Sequence, residues 1–277
     1  MNYRIFLPLL LLANIVSVNA EERRFEIELL VFQRNIDIKD MKEKFSTEPL
    51  LLDTQESISM LNALPDKNCI PNQACLHIAN PVIIDDAYFN DVNNGFEFLD
   101  SSHLQLIKQR QKLHAHASFT PVLHAVWRMP VYDRATAKPI HLFAGKNFAL
   151  EEQKQAIESK YINAVLSDKW AIDGDFKIYL EHYLFIDSQL IIRQQTTRDV
   201  PIVQPEENLD LNIISSENGV EVMDVNRETE TVTTQKEQVI AEVLFDQNRR
   251  LRSEEIHYLD HPLMGIIVQI RKIPEGE

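Results

Sequence analysis

The run from Asn248 to Ile270, NRRLRSEEIHYLDHPLMGIIVQI, limits what this chain can fold into more than any other stretch. In its first half Leu251, Ser253, Glu255, His257 and Leu259 fall on one side of a period of two, with Arg250, Arg252, Glu254, Ile256 and Tyr258 on the other. That is the spacing of a half-buried strand, although neither side is cleanly apolar. Asp260-His261-Pro262 then supplies turn residues, and Gly265 to Ile270 is a β-branched run dense enough for a buried strand. The unit reads as a hairpin that closes the fold.

The same period marks the other strands. From Phe25 to Phe32, Phe25, Ile27, Leu29 and Val31 share one face, and Glu26, Glu28, Leu30 and Phe32 the other. Charge at the start and apolar residues at the end take this strand from rim to core. Phe119 to Trp127 alternates clearly, with Pro121 placing its start on an edge or outside the ladder, and Ile140 to Phe143 is a short further strand. Trp170 to Phe185 is the longest pattern, and Asp187-Ser188 turns it into a hairpin partner at Leu190 to Arg193. Between strands, residues 35–98 break into short pieces, with helices expected near Met41 and over Ser57 to Leu64, too long for a simple connection. Asp100 to Leu113 predicts a helix capped by Asp100, Ser101 or Ser102, and Ala149 to Val165 an exposed helix or mobile insertion. The expected fold class is α+β: a mostly antiparallel sheet with packed helices and long irregular insertions.

Residues 1–20 read as a secretory signal peptide, with Arg4 in the basic region, an apolar core from Ile5 to Val16 and Val18-Asn19-Ala20 at the cleavage end. The mature chain then starts at Glu21 as one periplasmic domain over residues 21–277, with no later segment apolar enough for membrane insertion. The full sequence has 28 Lys+Arg against 42 Asp+Glu, a net of −14. That balance excludes nucleic acid as a partner, because a polyanion requires Lys and Arg to neutralise phosphates. Cys69 and Cys75 are the only cysteines, an even count in an exported chain, and they read as a structural disulfide because a redox pair favours a CxxC spacing. Thr196 to Glu237, rich in Asp and Glu and poor in aromatics, reads as a flexible or weakly paired acidic insertion, with transient strands at Leu209 to Ile214 and Val220 to Val225.

No Gly-x-Ser-x-Gly, no Ser-x-x-Lys and no phosphate-cradling glycine loop is present, so no catalytic residue is assigned and the chain reads as a binding protein rather than an enzyme. His257 and His261 flank Asp260, but a His-x3-His pair converges on a metal from a helix, and the strand-like flanks here assign these rings to holding the turn; no metal or other cofactor is expected. His114 and His116 read as a solvated pair at a helix end. Against the acidic background, Arg249, Arg250 and Arg252 form the one basic cluster, with His257 and His261 beside it. Guanidinium groups offer planar paired donors to carboxylates, so these five residues are the candidate ligand-binding set; the alternative is that the arginines pair with Glu254, Glu255 or Asp260 and fix the hairpin.

Three stretches carry a resemblance: Arg249-Arg250-Leu251-Arg252-Ser253 followed by Glu255-Ile256-His257-Tyr258-Leu259-Asp260-His261-Pro262-Leu263 and Gly265; Glu26 to Arg34; and Val122 to Arg128. Together they resemble the CsiV family of proteobacterial periplasmic proteins, with Glu254 standing where a glycine is commoner and Met264 where an aromatic is commoner. The resemblance implies a protein that binds peptidoglycan and supports cell-wall synthesis by a class A penicillin-binding protein through its activator, the outer-membrane lipoprotein LpoA. The competing reading is a periplasmic hydrolase that is metal-dependent or built on carboxylates.

Overall fold

The computed structural model describes residues 23–41, 50–60, 67–68, 76–77, 82–84, 90–91, 94–151, 167–201 and 234–273. In chain order the strands are β1 (Arg24–Arg34), β2 (Ile58–Ser59), β3 (Lys67–Asn68), β4 (Leu76–His77), β5 (Asn90–Asp91), β6 (Phe96–Phe98), β7 (Phe119–Pro130), β8 (Ile140–Asn147), β9 (Trp170–Leu180), β10 (Leu184–Pro201), β11 (Thr234–Leu251), β12 (Ile256–His261) and β13 (Met264–Lys272). The helix α1 (Ile107–Ala115) precedes β7, and residues 149–151 are also helical. A six-stranded sheet runs β12-β13-β1-β7-β6-β5 and a five-stranded sheet β11-β10-β9-β8-β2. Every ladder between these strands is antiparallel except β2 on β8. The α+β class with a mostly antiparallel sheet holds.

Alternation decides how the sheets meet. Phe25, Ile27, Leu29 and Val31 of β1, Leu123, Ala125 and Trp127 of β7, and Ile266, Val268 and Ile270 of β13 join Leu142 of β8, Ile172, Phe176 and Ile178 of β9, Ile186 and Leu190 of β10 and Phe245 of β11 in one buried cluster. The two sheets therefore pack face to face around a shared apolar layer, the arrangement of a β-sandwich. β1 holds the middle of its sheet, with Leu29 opposite both Val268 and Ala125. No helix of the described residues is long and apolar enough to cross a membrane.

Several local expectations change. The turn after β9 falls at Glu181-His182-Tyr183, where Leu180 pairs with Leu184. Asp187 and Ser188 lie inside β10, opposite Asn248 and Gln247. Ser188 keeps the inward side of the alternation because its hydroxyl donates to the Gln247 carbonyl at 3.1 Å, so polar residue type misplaces the turn. Pro121 sits within the ladder, opposite Phe32, beside a register shift between Val31 and Phe32 that accommodates its missing N–H. Ile58 and Ser59 are a strand rather than a helix because they add to the edge of β8. Near Met41 the described residues hold a 3-10 turn, Ile38–Asp40, and residues 42–49 lie outside them.

The helix expected from Asp100 starts later, at Ile107. Asp100 does cap, accepting from the Ser102 N–H at 2.7 Å, but what it caps is a 3-10 turn, Ser101–His103. Of the acidic insertion, Thr196–Pro201 and Thr234–Glu237 are the paired ends of β10 and β11. Residues 202–233, the two transient strands, the signal segment and 152–166 of the second expected helix lie outside the described residues.

Cys69 and Cys75 also lie outside them. On either side Lys67 pairs with His77 and Asn68 with Leu76, antiparallel. The Cys69–Cys75 disulfide expected from the sequence would contribute about 2 kcal/mol by closing a short loop. Alkylation and mass spectrometry of protein from the periplasm are expected to find no free thiol; two alkylated cysteines would refute the bridge.

Candidate functional site

The C-terminal run is two strands in different sheets rather than one. Leu251 ends β11 in the five-stranded sheet, and β12 starts at Ile256 in the six-stranded sheet, so residues 252–255 form a corner between two anchors, Leu251 and Leu259, both buried in the shared core. Glu254 sits in that corner at φ 69, backbone that L side chains rarely adopt and glycine adopts freely. Its N–H donates to the Ile270 carbonyl at 2.8 Å and its carboxylate accepts from the Lys272 N–H at 2.7 Å, which fastens the corner to β13.

The candidate ligand residues divide around this corner. Arg249 and Arg250 are exposed on β11, opposite Ile186 and Phe185. The Arg250 guanidinium lies 4.6 Å from the centroid of Tyr183, a ring 49% exposed. Arg252 is past the end of the strand, exposed, and 3.6 Å from Glu255, so it does not share a strand face with Arg250. His257 Nε2 lies 3.1 Å from the Arg252 backbone N and 3.0 Å from its carbonyl, and the ring therefore ties the corner in either tautomer. His261 Nδ1 accepts from the Leu263 N–H at 3.1 Å across the two-residue turn between β12 and β13. The two histidines are four residues apart along an extended strand, roughly 13 Å, too far to share a metal.

Asp260 pairs with Arg34 of β1. Arg34 reaches Asp260 at 2.5 Å and the Tyr258 hydroxyl at 2.9 Å, and Tyr258 donates to Asp260 at 2.5 Å. Partial burial pushes the Asp260 carboxyl upward, but the Tyr258 hydroxyl and the Arg34 charge outweigh it and hold the group below the ordinary carboxylate range. Tyr258 stacks on Phe32 with centroids 6.2 Å apart, and Phe119 meets Phe32 edge-on at 5.4 Å. This triad, unassigned by sequence reasoning, sits on an aromatic bed at the end of β1.

A second charged group lies under α1, on the outer face of the six-stranded sheet, and it too escaped sequence reasoning. The fully buried Glu28 accepts from the Gln105 and Leu106 N–H groups at 2.9 and 2.7 Å, meets His124 Nε2 at 2.8 Å and receives Arg271 at 2.5 Å. Arg271 also donates to Glu26, to Gln269 and to the His103 carbonyl, and Arg128 donates to Glu26 at 3.2 Å. Burial raises the Glu28 pKa, but the bonds from His124, Arg271, Leu106 and Gln105 more than reverse it, and the group stays below its ordinary value. Leu106 is the N-cap of α1, so the carboxylate also meets the positive end of that helix. Glu28 and His124 are fully buried, and the network holds the covering segment on the sheet. The charge that opens β1 thus marks a buried network rather than a rim.

At the opposite end of β1 the sandwich opens into a cavity of about 220 Å3 between the sheets. Arg34, Lys146 and Arg193 line it with the Gln33 carboxamide and the apolar sides of Phe148, Ile192 and Leu263. Arg193 is fixed by Glu242 at 2.6 Å, Asp173 at 3.0 Å and the Trp170 carbonyl at 3.0 Å. Lys146 meets Glu151 at 2.5 Å with both side chains exposed. Among the described residues no group of three or more His, Cys, Asp or Glu is placed to hold a metal ion.

Residues 4–273 match a family model whose description is "Peptidoglycan-binding protein, CsiV". No curated protein and no solved structure matches the chain.

Proposed function

This chain belongs to the CsiV family of periplasmic peptidoglycan-binding proteins, and from that premise we propose that it is an accessory to cell-wall synthesis, working with a class A penicillin-binding protein through the outer-membrane lipoprotein LpoA. The family match, running from residue 4 to residue 273, carries the reading. It is a family of binding proteins, so the chain binds the wall and does not hydrolyse it.

Arg249, Arg250 and Arg252 form the wall-facing patch in this proposal, with Tyr183 as its apolar platform. The exposed ring under Arg250 keeps the guanidinium extended and offers a flat face to a sugar, while the arginines meet the carboxylates of stem peptides. His257 and His261 serve the patch by holding the corner and the turn. Pull-down of the mature protein with purified sacculi tests the reading, and retention of LpoA on sacculi only when this protein is added tests the partnership. With all three arginines changed to glutamine, sacculus binding is expected to fall while the thermal midpoint changes little, because exposed ion pairs contribute at most about 1 kcal/mol. Undiminished binding by that variant would remove the patch from the wall surface.

A further inference from the structure

The cavity at the end of the sandwich combines three observations. First, among the described residues it is lined by three cations and no carboxylate, in a chain whose net charge is −14. Each cation has a carboxylate partner outside that lining, Asp260 for Arg34, Glu151 for Lys146, and Asp173 and Glu242 for Arg193, so an anion binds here by exchanging for the exposed partner of Lys146. Second, two polar groups on its wall lack partners among the described residues: the Gln33 carboxamide makes no hydrogen bond, and Arg34 Nε is buried without an acceptor. A buried donor in that state gains from any oxygen a ligand brings. Third, Ile192, Leu263, Ala171 and Phe148 make one side apolar.

We infer that this cavity takes the free carboxylate end of a short peptide whose last residue is small and apolar, as on an uncross-linked stem peptide of the wall. The carboxylate sits between Lys146 and Arg34, the Gln33 carboxamide meets the last peptide group, and the terminal methyl group lies against Ile192 and Leu263. Arg193, fully engaged by Asp173 and Glu242, contributes field and a fixed wall. Lys146 lies over the Phe148 ring at 5.1 Å and forms an exposed pair with Glu151, side chains 48% and 42% exposed; such a pair is readily exchanged for a ligand carboxylate. At about 220 Å3 the cavity is smaller than the roughly 300–1,000 Å3 of sites that enclose a drug-sized ligand. It admits an end group and leaves the glycan outside. This inference rests on the wall-binding reading and names a chemical group for it, at a place distinct from the arginine patch.

Titration calorimetry of the full mature protein tests it with three probes: acetylated D-alanyl-D-alanine with a free carboxylate, the same dipeptide as its C-terminal amide, and inorganic phosphate. Saturable binding of the acid is expected, with the amide and phosphate weaker by about tenfold or more, the value of one charge-assisted contact. Lys146→Gln is expected to weaken the acid several-fold, leaving the amide and the thermal midpoint unchanged, and Gln33→Leu is expected to weaken acid and amide alike. Equal binding of acid and amide, phosphate binding as tightly as the acid, or no binding of the acid by a folded protein would overturn the inference. Sacculus retention separates the two readings. Protein retained on sacculi but indifferent to the free acid sinks the cavity and leaves wall binding standing; protein that takes the acid but ignores sacculi does the reverse.

Discussion

Replacing Arg271 with methionine is expected to lower folding stability by about 3–5 kcal/mol, the effect of stranding a buried charge, and a denaturant midpoint measures it. Arg271 makes hydrogen bonds from all three guanidinium nitrogens, to Glu26, Glu28, Gln269 and the His103 carbonyl. Methionine fills most of the volume and supplies none of these donors. Two carboxylates on β1 then face each other across one turn of pleat with His124, His103, Arg128 and backbone N–H groups for compensation. Adding Glu28→Gln to Arg271→Met should recover part of the loss, because the stranded charge is gone. A loss under about 1 kcal/mol would mean that water enters beneath α1 and solvates the carboxylates.

The same network fixes the sign of an acid effect. Glu28 titrates below its unfolded value, so its contribution is complete above the unfolded pKa, near 4.5, and is lost as pH falls through the lower, folded value. Stability should therefore hold from neutral pH down to that region and then drop. In Arg271→Met the drop should be smaller and end at a higher pH, since a main cause of the depression has been removed.

How far the sequence could be read follows from what alternation encodes. A period of two says which residues share a face, and it placed Phe25, Ile27, Leu29 and Val31 correctly in the core. It does not say which strand lies next door. Glu26, Glu28, His124 and Arg128 stood in the two stretches that carried the resemblance, yet in an acidic chain a Glu-x-Glu reads as solvated surface. Only the register Glu26↔Arg128 and Glu26↔Arg271 makes them one network. Nor does alternation show a change of sheet: Leu251 and Leu259 keep the pattern on both sides of the corner because both reach the same core. The corner had one legible mark, Glu254 at a position where glycine is commoner, and its φ of 69 gives the reason. The turn at Glu181-His182-Tyr183 had none, since none of those residues is a strong turn former.

Gly265→Ala is expected to cost about 2–3 kcal/mol, at the upper end of what an extra methyl group does in a packed interior. A Cβ at this position would lie 2.4 Å from Phe32 Cζ and 2.8 Å from both Phe32 Cε1 and Tyr258 Cε2. The Phe32 ring has nowhere to go, because Phe119 meets it edge-on and Tyr258 stacks on its other side. Gly265 pairs with Phe32 across the ladder and with Asp260 on the other flank, so relief by backbone movement would shift β13 against both neighbours. Either Tyr258 swings outward, breaking its bonds to Asp260 and Arg34, or the ladder opens. Thermal melts of Gly265→Ala, and of the same change with Phe32→Leu to make room, separate these causes. Recovery of most of the midpoint in the double variant would place the strain on the ring. A midpoint as high as the parent's in Gly265→Ala alone would show that Phe32 yields freely, and the aromatic bed beneath Arg34, Tyr258 and Asp260 would then be too soft to fix that triad beside the cavity.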